Sequence, residues 1–198
     1  MDERVRQAMA RWPNVPAVWG WLRLDRRGRW LLIDRGRADF DESRHGGGEP
    51  ITNPQIVEFI ARNYQADAQG CWFWQNGPQR AFVDLDLAPL VYRVFGEAPA
   101  QRLVTHTGCE ASVIEQVFAD EAGDLYVVTD CGPGTIDDRD IAQLELTLQD
   151  SPAEPAAGPQ AVCGELSFAG AVHAIRPMAA PAPQLLGFVR RPRPAQTS

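Results

Sequence analysis

The sequence contains no lysine, and all 19 of its basic residues are arginine. A lysine is needed to form a Schiff base with a carbonyl substrate, and a Walker-type phosphate loop also requires one. Both kinds of site are therefore excluded. The formal net charge is −7. A nucleic-acid partner is not expected, since a phosphate backbone is bound by clustered positive charge.

Long apolar runs and closely spaced cysteines are also absent. No stretch approaches the roughly 18 apolar residues of a transmembrane helix, and the charged first six residues, MDERVR, are unlike a signal peptide. We therefore expect a cytoplasmic protein that does not contact a membrane. The cysteines form no C-x-x-C pair, so buried, reduced thiols are the expectation. They are Cys71, Cys109, Cys131 and Cys163.

The overall composition is typical of a folded globular protein, with 44% hydrophobic and 23% charged residues. Two strand-like segments, 17–24 and 29–34, flank a hairpin turn at 25–28. Residues 35–49 are charged and end in three glycines, which predicts a mobile surface loop.

The clearest helix signal follows this loop. Thr52 or Asn53 is suited to cap the helix, and Pro54 is suited to its first position. Apolar residues then recur at helical spacing, which predicts one buried face. They are Ile56, Phe59, Ile60 and Tyr64.

A similar pattern occurs further along the chain. A shift of 85 positions places 51–56 over 136–141, where a second helix is predicted to begin near Asp137 or Asp138. Each helix lies between two hairpins, which predicts two related strand-strand-helix-strand-strand units with mainly antiparallel sheets, an α+β fold. The alternative is that any two capped helices after hairpins look alike. The apolar face of the second helix would consist of Ile141, Leu144 and Leu148.

The division of the chain follows from this pattern. We expect an N-terminal unit over residues 1–110 and a related C-terminal unit over 111–198. Small residues, prolines and a glycine near 150–160 predict a flexible linker inside the second unit. The tail beyond residue 177 is rich in proline and arginine.

Three segments carry a family resemblance: 48–54 (GEPITNP), 72–80 (WFWQNGPQR) and 83–86 (VDLD). They resemble a proteobacterial family of uncharacterised proteins, domain-of-unknown-function family 2944 or 2946. The layout of a hairpin, a G-x-P-I segment, a helix and a W-x(n)-G-P strand more distantly resembles domain-of-unknown-function family 1285. The resemblance covers roughly residues 10–148 and implies repeated α/β motifs, with a signalling role only proposed. It implies no catalytic residue.

The densest group of candidate site residues lies on the hairpin after the first helix. Trp72 and Trp74 share a strand face by the period of two and are candidates for the floor of a ligand site, with Arg80, Asp84 and Asp86 at its rim. The alternative is a core aromatic cluster in which Arg80 pairs with one of the aspartates. Asp84 and Asp86 also share a face, as acid/base catalysis would need, but two aspartates that leave a strand are more often solvated.

Other polar groups carry weaker signals. His106 and Cys109 form the one local Cys and His pair, but residues three apart on a strand point to opposite faces. Adding Cys131 and His173 gives zinc-ligand types without a known ligand spacing. The acidic residues of 137–140 lack the spacing of a calcium loop and suit helix capping better. We therefore predict no metal and no cofactor.

These observations favour a non-enzymatic ligand-binding or signalling accessory module. Its partner would be a small molecule or a protein, bound near the tryptophan hairpin or in a groove between the two units. One alternative is an enzyme that acts on a small polar substrate through Arg80, Asp84, Asp86 or His106. Another is a protein-interaction or homodimerisation module that uses exposed tryptophans. These are Trp19, Trp21, Trp72 and Trp74.

Overall fold

The structure is a computed structural model that describes residues 1–148 and 162–194. The chain forms two compact units. Unit 1 consists of Met1–Pro89 with the segment that starts at Gly187, and unit 2 consists of Leu90–Leu186. The boundary predicted after residue 110 separates two related sequence copies. The division into compact units does not test whether two parts of the sequence are related, so this boundary stays a prediction. The predicted linker near 150–160 lies outside the described residues.

Unit 1 contains a six-stranded sheet with the strand order β3-β2-β1-β6-β5-β4. All neighbours in this sheet are antiparallel except the central pair β1 and β6, which is parallel. The apolar core of this unit includes Leu24, Ile60, Phe73 and Val83, each at most 1% exposed. The elements are α1 (Glu3–Arg11), β1 (Val18–Leu24), β2 (Trp30–Leu32), α2 (Glu42–His45), β3 (Glu49–Pro50), α3 (Pro54–Arg62), β4 (Tyr64–Ala66), β5 (Trp72–Asn76) and β6 (Gln79–Leu85).

Helix α3 begins where the sequence predicts. The Asn53 side chain accepts hydrogen bonds from the backbone N–H groups of Gln55 and Ile56, and Pro54 occupies the first turn, where no N–H partner is needed. Ile60 is fully buried and anchors the apolar face of the helix in unit 1. The predicted cap and the start of this helix are therefore confirmed. Ile56, however, is 43% exposed and Tyr64 lies in β4, so neither extends the buried face of the helix.

Unit 2 contains a nine-stranded sheet with the order β13-β14-β15-β10-β11-β12-β7-β8-β9. Two neighbouring pairs, β10 with β15 and β12 with β7, are parallel, and the other pairs are antiparallel. The elements are β7 (Leu90–Phe95), β8 (Arg102–Thr105), β9 (Glu110–Ala111), β10 (Ile114–Ala119), β11 (Leu125–Thr129), β12 (Gly132–Ile136), a 3-10 helix (Ile141–Gln143), β13 (Glu145–Leu148), β14 (Gly164–Phe168), β15 (Ala171–Pro177) and α4 (Ala182–Leu186).

The α-helix predicted to begin near Asp137 or Asp138 is wrong. Only the 3-10 turn Ile141–Gln143 forms, and the chain then enters β13. Asp137 does not cap a helix, because its carboxylate holds the side chain and the backbone N–H of Arg139. Residues 145–148 (ELTL), which form β13, alternate polar and apolar types, and this pattern is typical of a strand.

The fold class is therefore mixed helix and strand, with strands dominant. Two sheets and a few short helices account for the described elements. The description as two strand-strand-helix-strand-strand units is not confirmed, because the second predicted helix is missing. No helix within residues 1–148 and 162–194 is long and apolar enough to cross a membrane.

Four hairpins share one turn design, which has an aspartate or threonine first and a glycine fourth. The first side chain accepts the N–H of the residue four positions later, and the glycine N–H donates to the first residue's carbonyl. Each glycine has a φ between +74° and +85°, which favours a residue without a Cβ. The turns are 25–29 (DRRGR), 67–71 (DAQGC), 105–109 (THTGC) and 120–124 (DEAGD).

Candidate functional site

The two tryptophans of the predicted site lie in an aromatic cluster of unit 1. The Trp74 ring packs edge-on against Phe59 of α3 at 5.9 Å between centroids, and the Trp72 ring lies 4.8 Å from Tyr64. Tyr64 in turn packs edge-on against the buried Trp30 at 4.9 Å. These contacts match the alternative of a core aromatic cluster under α3.

Arg80 lies on the other face of the same hairpin. The β5–β6 register pairs Arg80 with Gln75 and Phe82 with Phe73, so the period of two separates these side chains from Trp72 and Trp74. The Arg80 guanidinium stacks over the Phe73 ring at 4.5 Å. The structure therefore does not bring the two tryptophans and Arg80 together.

Each predicted aspartate is bound by an arginine other than Arg80. The Asp84 carboxylate accepts hydrogen bonds from Arg193 at 2.8 and 3.3 Å. The Asp86 carboxylate accepts both a 2.6 Å bond from Arg23 Nε and a 3.0 Å bond from its Nη2. Each of the two carboxylates is therefore held by a guanidinium from a distant part of unit 1.

The Arg23–Asp86 pair forms one wall of a cavity of about 460 Å³, which we call the arginine pocket. The pocket lies where β1, its turn to β2 and the residues before β3 meet. Arg23 also donates from Nη1 to the carbonyl of Gly47, which fixes its guanidinium at the pocket wall. The charged residues that line the pocket are Arg23, Asp25, Arg26, Arg27, Arg29 and Asp86.

The turn at 25–29 positions three of the four arginines. Asp25 is only 7% exposed, and its carboxylate accepts the N–H groups of Arg27 and Arg29 together with Arg29 Nε at 2.6 Å. The backbone of the turn is thus fixed by a buried side chain. Arg26 and Arg27 occupy its centre and are exposed to solvent.

The electrostatics of the pocket keep Arg23 charged. The hydrogen bond from Arg23 to Asp86 raises the pKa of the guanidinium above its ordinary value, although partial burial acts in the opposite direction. Four guanidinium groups and two carboxylates line the cavity. Guanidinium groups present paired N–H donors that match the oxygens of phosphate and carboxylate groups.

The arginine pocket is not among the sites predicted from the sequence. The motif DRRGR predicts a turn, and its three arginines within five residues are a further signal of a charged site. The sequence around Arg23 does not indicate a site, because its partner Asp86 is 63 positions away. The two residues become neighbours through the parallel pairing of β1 with β6. Of the predicted residues, Asp86 is the one that lines the pocket.

The cysteine prediction is wrong for one pair in unit 2. Cys109 and Cys131 form a disulfide with a Cα–Cα distance of 6.4 Å, whereas Cys71 and Cys163 are free. The two turns that carry the pair lie side by side, which a separation of 22 positions in sequence does not reveal.

His106 lies near this disulfide in sequence, and its Nδ1 accepts a hydrogen bond from the β7 backbone at 3.2 Å. Within the described residues no three metal-ligand side chains converge.

A second charged cluster, which lies in unit 2, has buried carboxylates. The Asp140 carboxylate accepts bonds from Arg93 Nε at 2.5 Å and Nη2 at 3.1 Å, and Asp137 holds Arg139. Both aspartates are at most 1% exposed. This network fixes the chain between β12 and β13, which is a structural task.

Comparisons with known proteins identify the family. The family model DUF2944, described as "Protein of unknown function (DUF2946)", matches residues 1–193. No curated protein matches the chain. The solved structure of a DUF1285 family protein from Silicibacter pomeroyi DSS-3 is 20% identical, with 81% of this chain and 82% of that chain covered and a TM-score of 0.48. For a DUF1285 family protein from Shewanella baltica OS155, the values are 13% identity, 62% and 87% coverage, and a TM-score of 0.43.

The family match confirms the resemblance seen in the sequence. It names no ligand and no activity. Since the model spans nearly all of the sequence, the chain belongs to the DUF2944 family of proteins of unknown function.

Proposed function

We propose that this protein is a non-enzymatic binding module that holds a small anion in the arginine pocket of unit 1. The ligand would carry a phosphate or carboxylate group. The observation that supports this proposal is the grouping of four guanidinium groups around one 460 Å³ cavity in a chain with a net charge of −7.

The chemistry of the lining favours an anion at this place. Guanidinium groups outnumber carboxylates by four to two among the lining side chains. Arg23 is already oriented by Asp86 and by the carbonyl of Gly47, so little side-chain freedom is lost when a ligand binds.

The arginines are not needed to build the turn. The turns 67–71 and 120–124 have the same hydrogen bonds as 25–29, yet their central residues are Ala68 and Gln69, or Glu121 and Ala122. The arginines of the first turn therefore serve some purpose other than its backbone geometry. Anion binding is a purpose that suits their chemistry.

The test compares two double variants by thermal shift and calorimetry with inorganic phosphate, pyrophosphate, nucleoside phosphates and dicarboxylates. Arg26→Gln with Arg27→Gln removes two pocket charges, and Arg4→Gln with Arg190→Gln removes two exposed charges elsewhere in unit 1. A ligand at 100 times its Kd stabilises the native protein by about 2.7 kcal/mol. We expect that stabilisation in the native chain and in the second variant, and its loss in the first. Equal shifts in both variants, or none with any anion, would refute the proposal.

We also infer that the chain is built from a repeated three-stranded meander. The fifteen described strands form five antiparallel runs, β1–β3, β4–β6, β7–β9, β10–β12 and β13–β15. Three pairs of consecutive runs are joined by a parallel strand pair. In each, the first strand of one run lies beside the last strand of the next run, as β1 with β6, β7 with β12 and β10 with β15. Profile alignments among family members test this, because related runs should align with one another.

Three further predictions stay open. A signalling role would require a response to the bound anion, and the alternative of an enzyme acting on a small polar substrate would require turnover. Homodimerisation is tested by light scattering at several concentrations, where a constant monomer mass would contradict it. The cytoplasmic location is tested by cell fractionation.

A further inference from the structure

The Cys109–Cys131 disulfide lies at the surface of unit 2. Cys109 is exposed at the end of the 105–109 turn between β8 and β9, and Cys131 is half-buried in the turn between β11 and β12. A thiolate can open a disulfide only if it reaches one of the two sulfur atoms. The exposure of Cys109 provides that access.

Both cysteines are held in place without the sulfur–sulfur bond. The Cys109 N–H donates to Thr105 Oγ1 at 2.9 Å, and the Cys131 N–H donates to Thr129 Oγ1 at 3.0 Å. The buried hydroxyl of Tyr92 lies 2.8 Å from Thr129 Oγ1 and donates to a carbonyl of the same turn. These bonds keep each turn folded when the disulfide opens, so the two thiols stay at a high effective concentration for closing it again.

We infer that Cys109 and Cys131 form a reversible dithiol–disulfide redox site, whose reductant is a dithiol. One thiolate of the reductant attacks the sulfur of the exposed residue Cys109, forms a mixed disulfide and releases the Cys131 thiolate. The second thiol of the reductant then displaces Cys109. The reductant leaves as a disulfide, the protein gains two electrons, and two protons end on the two cysteine thiols.

The redox state acts on the edge of the nine-stranded sheet. The edge strand β9 has two residues and pairs with β8 alone. Beyond it, the N–H groups of Ser112 and Val113 donate to the Asp130 carboxylate, which lies in the same turn as Cys131. The disulfide thus links the residue before β9 to the β11–β12 turn, and Asp130 links the two residues after β9 to the same turn. Reduction removes the first of these two links.

This edge forms one wall of a groove of about 370 Å³ in unit 2. Residues 111–114 line one side, and Phe168 and Ala169 of the β14–β15 hairpin line another. Reduction of the disulfide therefore loosens a wall of the groove while the strands beneath it stay paired.

The other two cysteines provide a control within the same chain. Burial raises the pKa of the Cys71 thiol and of the Cys163 thiol, so both are slow to form thiolates at neutral pH. Cys163 Sγ also donates to the backbone carbonyl of Ile175 at 3.4 Å. The double variant Cys71→Ser with Cys163→Ser leaves the proposed pair as the only thiols.

Peptide mapping after iodoacetamide treatment tests the inference on the full chain and on this variant. We expect Cys109 and Cys131 to resist alkylation in oxidised protein, to react after treatment with dithiothreitol, and to resist again after reoxidation with glutathione disulfide. The far-UV circular dichroism should be unchanged throughout. Alkylation of both cysteines after glutathione disulfide treatment, or loss of folded structure on reduction, would overturn the inference.

Hydrogen exchange tests the structural consequence. The amides of residues 110–113 should exchange at least about tenfold faster in the reduced protein, whereas those of Val127, inside β11, should keep the same rate. Equal rates at 110–113 in the two redox states would refute the effect on the edge strand.

Discussion

Replacement of Asp140 by alanine provides a strict test of the buried charge network in unit 2. Asp140 is 1% exposed, and its carboxylate accepts two bonds from Arg93 and a 2.9 Å bond from the Val94 N–H. The β7–β12 ladder ends with Tyr92 opposite Ile136, so Asp140 supplies the acceptor that β12 no longer offers to β7.

The magnitude follows from what the substitution leaves behind. Val94 is 4% exposed, and a buried N–H without an acceptor costs about 1–3 kcal/mol. The Arg93 side chain is 38% exposed, so water compensates part of its lost partner, and that loss costs about 1 kcal/mol. We therefore expect Asp140→Ala to lower the free energy of unfolding by about 3 kcal/mol. At about 2–4 °C per kcal/mol for a chain of this size, Tm falls by roughly 9 °C.

Urea unfolding at neutral pH measures this loss as a shift of the midpoint at constant m-value. Asp138→Ala is the matched control, because Asp138 is an exposed neighbour in the same segment, and its cost should stay within about 0.5 kcal/mol. A cost for Asp140→Ala below about 1 kcal/mol would show that the Val94 N–H finds another partner, and the reasoning would fail.

Three further predictions concern unit 2. Burial raises the pKa of Asp137, but hydrogen bonds from Arg139 outweigh this and lower it from 3.8 to about 2. The carboxylate therefore adds about 2 kcal/mol above pH 4, which is lost as the pH falls from about 4 to 2, so the stability gap to Asp137→Asn should close over that window. Gly134→Ala places a Cβ 2.4 Å from a Tyr92 ring carbon and 2.5 Å from a carbonyl oxygen. It should lower the free energy of unfolding, measured in urea, by about 3 kcal/mol. The control Gly47→Ala should change it little, because no atom lies within 4 Å of the added Cβ. Cys131→Ser should lower stability by about 3 kcal/mol under oxidising conditions, as expected for a bond across 22 positions, and by little in the presence of reductant.

Local signals in the sequence were sufficient for the elements that depend on neighbouring residues. Asn53 and Pro54 predict the start of α3 because capping involves residues two and three positions away. The turn at 25–28 is predicted for the same reason, since its aspartate and glycine bond within five positions. The start of α3 and the first hairpin are accordingly confirmed.

Features that depend on distant partners were not predictable in the same way. The aspartates at 137 and 140 look like helix caps in sequence, but Arg93, more than 40 positions earlier, takes the carboxylate of Asp140. The disulfide and the Arg23–Asp86 pair are likewise set by which strands become neighbours. Pairing order is a property of the whole sheet, and a single sequence carries little information about it.

The tryptophan hairpin shows how a pattern of residue types can be right about the strands and still not define a site. Trp72 and Trp74 share a face, as the period of two requires, and the same period places Arg80 on the opposite face because its partner across the ladder is Gln75. Register therefore decides which side chains can meet, and residue type decides only what they could do. By that criterion the arginine pocket is the better candidate, since its charged groups converge on one cavity and its turn would fold equally well without them.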